Sequence, residues 1–297
     1  MAAATGGAPG PTSVTVVMAS HNRVATTVSC LRALAASAER CRQLSWDVVL
    51  VDASSTDGTA ETVEALGLPV QVLSVPAATF WARAMRVGME AAVRSDPDLV
   101  IWLNDDVRLH ESALGSLLDE WRAGVQALLV GSTCDEVGTG ATYGGLRRAS
   151  RWRPLTFDLV PPPRETPVEV ETMNGNFVAI PRVVRRRVGL PREVYRHGMA
   201  DIDYGLRVRR SGFRVLLLPG FVGNCSRNPV SGTWSDPDLG RLRRLALLRG
   251  PKGLPFVPWL YFCLRWGGPL GPAIAVKPYL RAMTARGLRR HRGARLG

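Results

Sequence analysis

The sequence at positions 99–106 reads Leu99-Val100-Ile101-Trp102-Leu103-Asn104-Asp105-Asp106. It is an apolar run of strand length that ends in three small polar residues, two of them acidic. In an open α/β sheet, ligands bind at the carboxyl ends of the strands, so this strand would present carboxylates to a ligand. Mg²⁺ and Mn²⁺ take oxygen ligands and often bridge carboxylates to substrate phosphates. The alternative interpretation is a plain acidic turn, because Asn and Asp also favour turns and helix caps.

Upstream of this stretch, strand-like and helix-like segments alternate. The predicted strands are residues 14–19, 46–51, 70–75 and 99–103, and the predicted helices are residues 24–38, 60–66 and 80–94. A strand that alternates with a helix in this way is typical of parallel βαβ units. The first hundred residues therefore predict an α/β fold with a mostly parallel sheet flanked by helices.

The pattern changes after Asp106. The predicted helices are residues 112–121, 181–188 and 201–211, and the predicted strands are residues 126–133, 168–172, 176–180 and 213–218. Residues 134–167 are rich in Gly, Arg and Pro, which favours irregular or hairpin structure. Because no internal repeat or clear linker is present, we expect one domain over residues 13–230. A disordered leader over residues 1–12 would precede it, and a C-terminal extension over residues 231–297 would follow it.

The charge of the chain is unevenly distributed. The net charge is +13, and no Asp or Glu follows Asp238, whereas residues 241–297 hold all the excess Arg and Lys. A basic segment of this kind can bind anionic lipid or nucleic acid, or it can simply be a solvated surface. Since residues 1–240 are formally neutral and contain no nucleic-acid-binding motif, we expect no nucleic-acid partner.

The apolar part of the C-terminal extension predicts contact with a membrane surface. Residues 254–280 mix aromatic and aliphatic residues with prolines, with Gly267-Gly268 and with Arg265, so no run approaches the ~20 apolar residues of a spanning helix. We expect no transmembrane segment and instead helices that dock on an anionic membrane surface. In the alternative interpretation, these helices pack on the domain and the arginines are solvated.

The cysteines and the amino terminus indicate the cellular compartment of the protein. The five cysteines are scattered without a CxxC pair, at positions 30, 41, 134, 225 and 263. This pattern predicts free thiols in a reducing compartment, and residues 1–11 lack the apolar region of a signal peptide. We therefore expect a cytoplasmic protein, peripheral on the inner face of the plasma membrane if the extension docks there.

Two further segments carry acidic candidates. Asp52 follows the second predicted strand at the same sheet edge, where it could accept hydrogen bonds from a ribose or a base, or cap a helix. Asp201 precedes a predicted helix, where it could act as a general base or as a helix cap. His197 is an alternative base. The sequence has no GxGxxG after the first strand and no P-loop, which argues against a dinucleotide fold or a P-loop enzyme.

Several segments occur in an order known from one enzyme family. They are residues 14–23, 51–59 and 102–106, Asn174-Gly175-Asn176-Phe177 and Ala200-Asp201-Ile202-Asp203. Over residues 14–228 the chain resembles the inverting glycosyltransferases of family 2, which have the glycosyltransferase-A fold, and in particular their rhamnosyltransferase-like members. The resemblance implies a catalytic domain of that α/β fold, followed here by a helical, basic C-terminal extension.

The resemblance also implies a role for individual residues. Asp106 would bind a divalent metal, Mg²⁺ or Mn²⁺. Asp201 would be the catalytic base, with Asp203 as the next candidate. The nucleotide-diphosphate sugar donor would be bound by Ala19, Ser20, His21, Asn22, Arg23, Asp52, Ser54, Trp81, Arg83, Arg86, Asn104, Asp105 and Asn176.

The sequence departs from the family pattern at three places. Asn104 replaces the first Asp of the Asp-x-Asp motif, Ala200 replaces the Glu before the base, and Gly223-Asn224-Cys225 stands where many members have a metal-binding His. The absence of a Gln-x-x-Arg-Trp motif argues for transfer of a single hexose or deoxyhexose. We expect a glycan, lipid-linked or small-molecule acceptor in cell-envelope polysaccharide synthesis. The alternative is a catalytically impaired protein that binds nucleotide sugars.

Overall fold

The computed structural model describes residues 10–138, 140–236 and 238–284. Most of the predicted leader lies outside this range, and Thr12 already belongs to the first strand. The last arginines of the sequence, from Arg286 onward, also lie outside the described residues.

The strands and helices follow the predicted order closely. The strands are β1 (Thr12–Ser20), β2 (Leu44–Asp52), β3 (Val70–Ser74), β4 (Leu99–Leu103), β5 (Arg108–Leu109), β6 (Ala127–Cys134), β7 (Ala141–Tyr143), β8 (Gly145–Ser150), β9 (Arg153–Leu159), β10 (Val168–Val170), β11 (Thr172–Met173), β12 (Phe177–Pro181) and β13 (Arg214–Asn224). The helices are α1 (Val24–Glu39), α2 (Thr59–Glu64), α3 (Trp81–Ala92), α4 (Ala113–Arg122), α5 (Arg182–Val188), α6 (Ala200–Arg210), α7 (Arg241–Arg249), α8 (Phe256–Trp266) and α9 (Gly271–Thr284).

The main sheet is mixed, and its order is β10-β13-β6-β12-β4-β1-β2-β3. The pairs β1–β2, β2–β3 and β1–β4 are parallel, as the βαβ pattern predicts. Strand β12 enters antiparallel between β4 and β6. The carboxyl ends of β1, β2 and β4 therefore lie side by side at one edge of the sheet.

Apolar side chains cover both faces of the sheet, and β4 shows how. Leu99, Ile101 and Leu103 pack on one face with α1 and α4, whereas Val100 and Trp102 pack on the other with α3 and α6. All five side chains are fully buried. Because successive side chains of a strand point to opposite faces, a strand covered by helices on both sides needs an uninterrupted apolar run.

The segment after β7 forms a second, smaller sheet in the order β11-β8-β9. The hairpin β8–β9 agrees with the hairpin interpretation of residues 134–167. The single strand predicted over residues 168–172 is wrong, because β10 pairs with β13 whereas β11 pairs with β8. The chain changes sheets at Glu171, whose carboxylate binds Arg148 of β8 at 2.7 Å.

In the described residues, three α-helices follow β13. Trp259 and Phe262 of α8 join Tyr195 and Leu206 in a third apolar cluster, so α8 packs on the segment around α6. The Trp259 Nε1 donates to the carbonyl oxygen of Ala275 at 3.1 Å and thereby ties α8 to α9. In the part of the chain that the structure describes, no helix is both long enough and apolar enough to cross a membrane.

Candidate active site

The polar ends of β1, β2 and β4 form the floor of the candidate site. Ser20 is paired in register with Asp52, and β4 runs parallel to β1 on its other side. Asn104, Asp105 and Asp106 follow β4 directly, and the backbone N–H of Asn104 donates to the carbonyl oxygen of Asn176 at 3.1 Å. The residues after β4 and those before β12 thus meet at this edge.

Arg23 bridges the two carboxylates that follow β4. Its Nη1 lies 3.0 Å from Asp105 Oδ1 and 3.0 Å from Asp106 Oδ2. The side chain of Asp105 is only 7% exposed and that of Asp106 is 26% exposed, so Asp106 is the carboxylate that faces solvent. Burial raises the pKa of Asp105, and the positive charge of Arg23 opposes that rise. The two carboxylates therefore already stabilise one positive charge between them.

Cys225, just after β13, also contacts this pair. Its Sγ lies 3.5 Å from Asp106 Oδ1 and 3.6 Å from the Asn176 Nδ2. Burial, followed by the negative charge of Asp106, raises the pKa of this thiol to about 12, so it is a neutral donor to Asp106 at neutral pH. The sequence analysis found no metal-binding His at this position, and the structure places a thiol there instead.

A series of contacts connects Asn104 to Asp201. The indole Nε1 of Trp81, at the start of α3, donates to Asn104 Oδ1 at 2.9 Å. Gly175 lies against the Trp81 ring, since a Cβ on Gly175 would be 2.6 Å from the ring carbon Cη2. The backbone N–H of Gly175 donates to Asp201 Oδ2 at 3.1 Å. The structure therefore brings Trp81, Asn104 and Asp201 together, although they are distant in sequence.

Asp201 lies in the first turn of α6 but is not the residue that caps the helix. The N-cap is Met199, in a left-handed conformation with φ of 71°, and no side chain caps the helix. The second carboxylate oxygen of Asp201 accepts the backbone N–H of Ile202 at 2.9 Å. Burial raises the pKa of Asp201, against the effect of the backbone hydrogen bonds to Ile202 and Gly175. A carboxylate with a raised pKa is a stronger base, which suits proton abstraction.

Asp203, the second candidate for the catalytic base, lies on another side of α6, and its surroundings do not fit that role. The carboxylate is fully buried; Oδ2 accepts from Arg207 Nε at 2.9 Å and Oδ1 from Trp266 Nε1 at 2.8 Å. Residues two apart on a helix point in different directions, so Asp203 cannot share the surroundings of Asp201. Its role is structural, and it joins α6 to α8.

His197, the alternative base, lies in the loop before α6. Its ring packs edge-on against Phe80 with 6.3 Å between ring centroids, and burial lowers its pKa. A neutral, half-buried imidazole beside an aromatic ring fits a packing role.

The loop after β1 is held by the loop after β2. His21 Nδ1 lies 2.7 Å from the carbonyl oxygen of Ala53, and Asn22 Oδ1 accepts the backbone N–H of Thr56 at 2.7 Å. The carboxylate of Asp52 is buried and accepts the backbone N–H of Ser55 at 2.9 Å. Asp52 therefore shapes this turn and does not cap α2, which begins after Gly58.

The remaining predicted donor residues are placed as follows. Ser20 bonds Thr27 between hydroxyls at 2.8 Å, and Ser54 donates to the carbonyl oxygen of Val75 at 2.7 Å. Ala19 is the last residue before Ser20 in β1, and Arg83 is exposed on α3. Arg86 instead donates to the carbonyl oxygen of Pro191 at 2.7 Å and pairs with Glu90, neither of which belongs to the predicted site. Nucleotide binding by these side chains stays a prediction.

Sequence reasoning assigned no role to Trp266 and noted Cys225 only as a position that lacks the family's metal-binding His. Cys225 had no metal-ligand spacing to indicate it, and only the pairing of β13 with β5 and β6 brings it to Asp106. Trp266 stands in a segment interpreted as membrane-facing. The signal available in the sequence was the indole N–H of Trp266 among apolar neighbours. A buried Trp N–H usually finds a hydrogen-bond partner, so this residue could have been expected to bind a polar group of the domain.

The mixed sheet, with parallel strands β1, β2 and β4 that end at one edge beside the Asn-Asp-Asp turn, has the architecture of the glycosyltransferase-A fold. The sequence model of the family Glycosyl transferase family 2 matches residues 15–187, more than half of the chain. The chain belongs to this family. No curated protein matches the chain in sequence.

Solved structures agree on the fold. GalNAc-T7 with UDP, GalNAc and Mn²⁺ is 17% identical over 70% of this chain, which spans 43% of that protein, with a TM-score of 0.54. The mannosyltransferase PcManGT from Pyrobaculum calidifontis with GDP-Man and Mn²⁺ is 17% identical over 94% of this chain and 72% of its own, with a TM-score of 0.54. TarS 1-349 from S. aureus with UDP-GlcNAc is 13% identical over 91% of this chain and 81% of its own, with a TM-score of 0.57.

Proposed function

We propose that this protein is an inverting, metal-dependent, non-processive glycosyltransferase that moves one sugar from a nucleotide-diphosphate sugar to an acceptor hydroxyl. One observation carries the proposal. Asp201, a carboxylate with a raised pKa, is connected through Gly175 and Trp81 to Asn104, the residue next to the Asp105–Asp106 pair. A base for the acceptor and carboxylates for the donor phosphates would thus face the same space.

The donor side of the proposal rests on the loops after β1, β2 and β4. Structures with the same fold contain UDP, GDP-Man or UDP-GlcNAc. In this chain Asn22 lies at the carboxyl edge, held by the loop after β2, and Arg23 follows it. We assign the nucleotide to the loops around Asn22 and Ser54, and the diphosphate to the space beside Arg23.

The carboxylates fit a divalent metal, Mg²⁺ or Mn²⁺. Asp105 and Asp106 share a cation, the Arg23 guanidinium, 3.0 Å from an oxygen of each, so positive charge is stabilised there. Within the described residues, no group of three His, Cys, Asp or Glu side chains could hold a metal ion. Two carboxylates suit a metal that takes its other ligands from the donor diphosphate and water. When bound, such a metal would stabilise negative charge on the departing diphosphate.

Asp201 would act on the acceptor. The acceptor oxygen forms a bond to the anomeric carbon as the bond from that carbon to the diphosphate oxygen breaks, and the hydroxyl proton passes to the Asp201 carboxylate. Direct displacement of this kind inverts the anomeric centre. A positioned base contributes typically about 10²–10⁴-fold to such a step. Gly175 holds Asp201 Oδ2, so the carboxylate is oriented before the acceptor arrives.

The identities of donor and acceptor are proposed more broadly. We infer transfer of a hexose or deoxyhexose, in the manner of rhamnosyltransferase-like members, to a glycan, lipid-linked or small-molecule acceptor of the cell envelope. The absence of a Gln-x-x-Arg-Trp motif supports single-sugar transfer. The five cysteines are free thiols, which supports a cytoplasmic location.

The test is mass spectrometry of products from a panel of nucleotide sugars, with and without Mn²⁺ or Mg²⁺. Asp106→Ala and Asp201→Asn should remove nearly all turnover, and Asp201→Asn should still bind the nucleotide. Asp47→Asn is the matched control, since Asp47 is an exposed carboxylate on the same strand as Asp52. Full turnover in Asp106→Ala or Asp201→Asn contradicts the assigned role. Donor binding without transfer or hydrolysis would favour the impaired binding protein.

A further inference from the structure

Helices α8 and α9 expose apolar side chains where a surface helix usually carries polar ones. The exposed apolar residues of this region are 46–67% accessible and comprise Phe256, Val257, Leu264, Leu270, Val276, Leu280 and Met283. The opposite side of the pair is also apolar and is buried, with Trp259 and Phe262 in contact with the domain. A helix that is apolar on both sides has a second surface to cover, and large exposed apolar patches mark interaction sites.

On α9 the exposed residues are arranged in a stripe. Val276, Leu280 and Met283 follow at spacings of four and three, which places them on one face of the helix. Lys277 and Arg281 each come one position later, about 100° around the axis, and both are exposed. An apolar stripe bordered by basic residues is the pattern of a helix that lies in a membrane interface.

The charge around the stripe has one sign. The sequence contains no Asp or Glu after Asp238, and 13 Lys and Arg residues follow that position. Side-chain contacts join the helices to each other and to the domain. The Phe256 and Tyr279 rings are in contact at 5.8 Å, and the Trp266 indole binds Asp203 on α6. The exposed residues are therefore held in place and do not belong to a loose tail.

We propose that the outer surface of α8 and α9 docks on an anionic lipid membrane. Anionic lipid matches both features, because the headgroups neutralise Lys277 and Arg281 while the acyl boundary covers Val276 and Met283. A second copy of the chain would bring like charges together. A nucleic acid would pair with the basic residues but leave the aliphatic stripe in water, since its affinity comes from phosphate contacts.

The docking surface has a consequence for the candidate site. Asp203, which binds Trp266 of α8, lies two residues after Asp201 on α6. The membrane-docking helices are thus fixed to the same helix as the proposed base. The inference itself does not depend on the proposed function, since vesicle binding and sugar transfer are measured separately.

The experiment uses the full-length chain and co-sedimentation with vesicles. Vesicles of phosphatidylcholine alone are compared with vesicles that also contain phosphatidylglycerol, at low and high salt. The double variant Lys277→Gln/Arg281→Gln removes two charges, and Val276→Gln/Met283→Gln removes the stripe without removing charge. The matched controls are Arg42→Gln/Arg94→Gln, at two exposed arginines of the amino-terminal half, and Val137→Gln, at a residue 80% exposed. Circular dichroism verifies that each variant is folded.

We expect the unchanged protein to pellet with anionic vesicles at low salt and to be released by high salt. The charge variant should lower the partition coefficient about 30-fold, the loss expected for two basic residues near an anionic surface. The stripe variant should lower it about tenfold or more, because several buried methylene groups are lost. The controls should bind as the unchanged protein does.

Three outcomes overturn the proposal. The first is an absence of binding to anionic vesicles at low salt. The second is equal binding by the charge variant, the stripe variant and their controls. The third is any result that assigns the surface to a different partner. Conversion of a dimer to a monomer by Val276→Gln/Met283→Gln would assign it to a second copy of the chain, and displacement of the vesicles by a DNA duplex at the same salt would assign it to nucleic acid.

Discussion

The indole nitrogen of Trp266 donates a hydrogen bond to Oδ1 of Asp203 at 2.8 Å and so joins the last residue of α8 to the first turns of α6. The carboxylate is fully buried, and its other oxygen accepts from Arg207 at 2.9 Å. Arg192 and Arg265 lie 3.9 Å from the same group. A buried carboxylate surrounded by donors holds the C-terminal helices on the domain.

Removal of the Asp203 carboxylate should destabilise the protein strongly. Asp203→Ala leaves the buried Arg207 without its carboxylate partner, and we expect the free energy of unfolding to fall by about 3–5 kcal/mol. Trp266→Phe removes one hydrogen bond to a charged group and should cost about 1.5–3 kcal/mol. Urea denaturation of both variants at neutral pH measures these losses. Normal stability of Asp203→Ala with a loss of transfer would instead make Asp203 a catalytic residue.

Substitution of Asp201 should reduce activity without reducing stability, which is the opposite of the result expected for Asp203. Burial raises its pKa in the folded protein above the ordinary value of 3.8, so the fold binds this proton more tightly than the unfolded chain does. Its contribution to stability is therefore full below the unfolded pKa and is lost as pH rises through the folded pKa. At neutral pH the ionised carboxylate destabilises the fold. We expect Asp201→Asn to unfold at the same or a higher urea concentration than the unchanged protein, while transfer falls about 10²–10⁴-fold.

The pH dependence of transfer gives a second measurement on Asp201. A base must be ionised to accept a proton, so kcat/KM should fall as pH drops through its raised pKa. The acidic limb of the profile should then lie above the range of an exposed Asp. A limb at or below pH 3.8 would contradict the environment described for Asp201.

Arg23 should compete with a metal ion for Asp105 and Asp106. Its guanidinium lies 3.0 Å from each carboxylate, and its side chain is 44% exposed. An ion pair with such exposure is worth up to about 1 kcal/mol, so Arg23→Gln should tighten Mn²⁺ binding severalfold in the absence of nucleotide. Titration followed by Mn²⁺ electron paramagnetic resonance measures this affinity. Asp106→Asn should weaken it, and Arg42→Gln is the control for a general change in charge. Unchanged affinity in Arg23→Gln would place the metal away from this pair.

Much of the fold could be predicted because its signals are local. The run at 99–103 is apolar without interruption, which suits a strand that is buried on both faces, and Asn104 then falls at the carboxyl edge. The βαβ alternation of the first hundred residues predicted parallel strands, and the pairs β1–β2 and β1–β4 are parallel. The break between β10 and β11 could not be predicted, because a switch between sheets at Glu171 depends on which strand each half meets.

The sequence by itself determined the strands of the parallel half of the sheet, the acidic edge and the segment that contains Asp201, since periodicity and residue type act over a few neighbouring positions. It could not decide between Asp201 and Asp203, which are both acidic and lie in the same helical turn. Only the tertiary structure separated them. The packing of α8 on α6 brings Trp266 to Asp203, whereas the loop before β12 presents Gly175 to Asp201. The surroundings of a side chain are set by residues far away in sequence, and these meet only when the chain has folded.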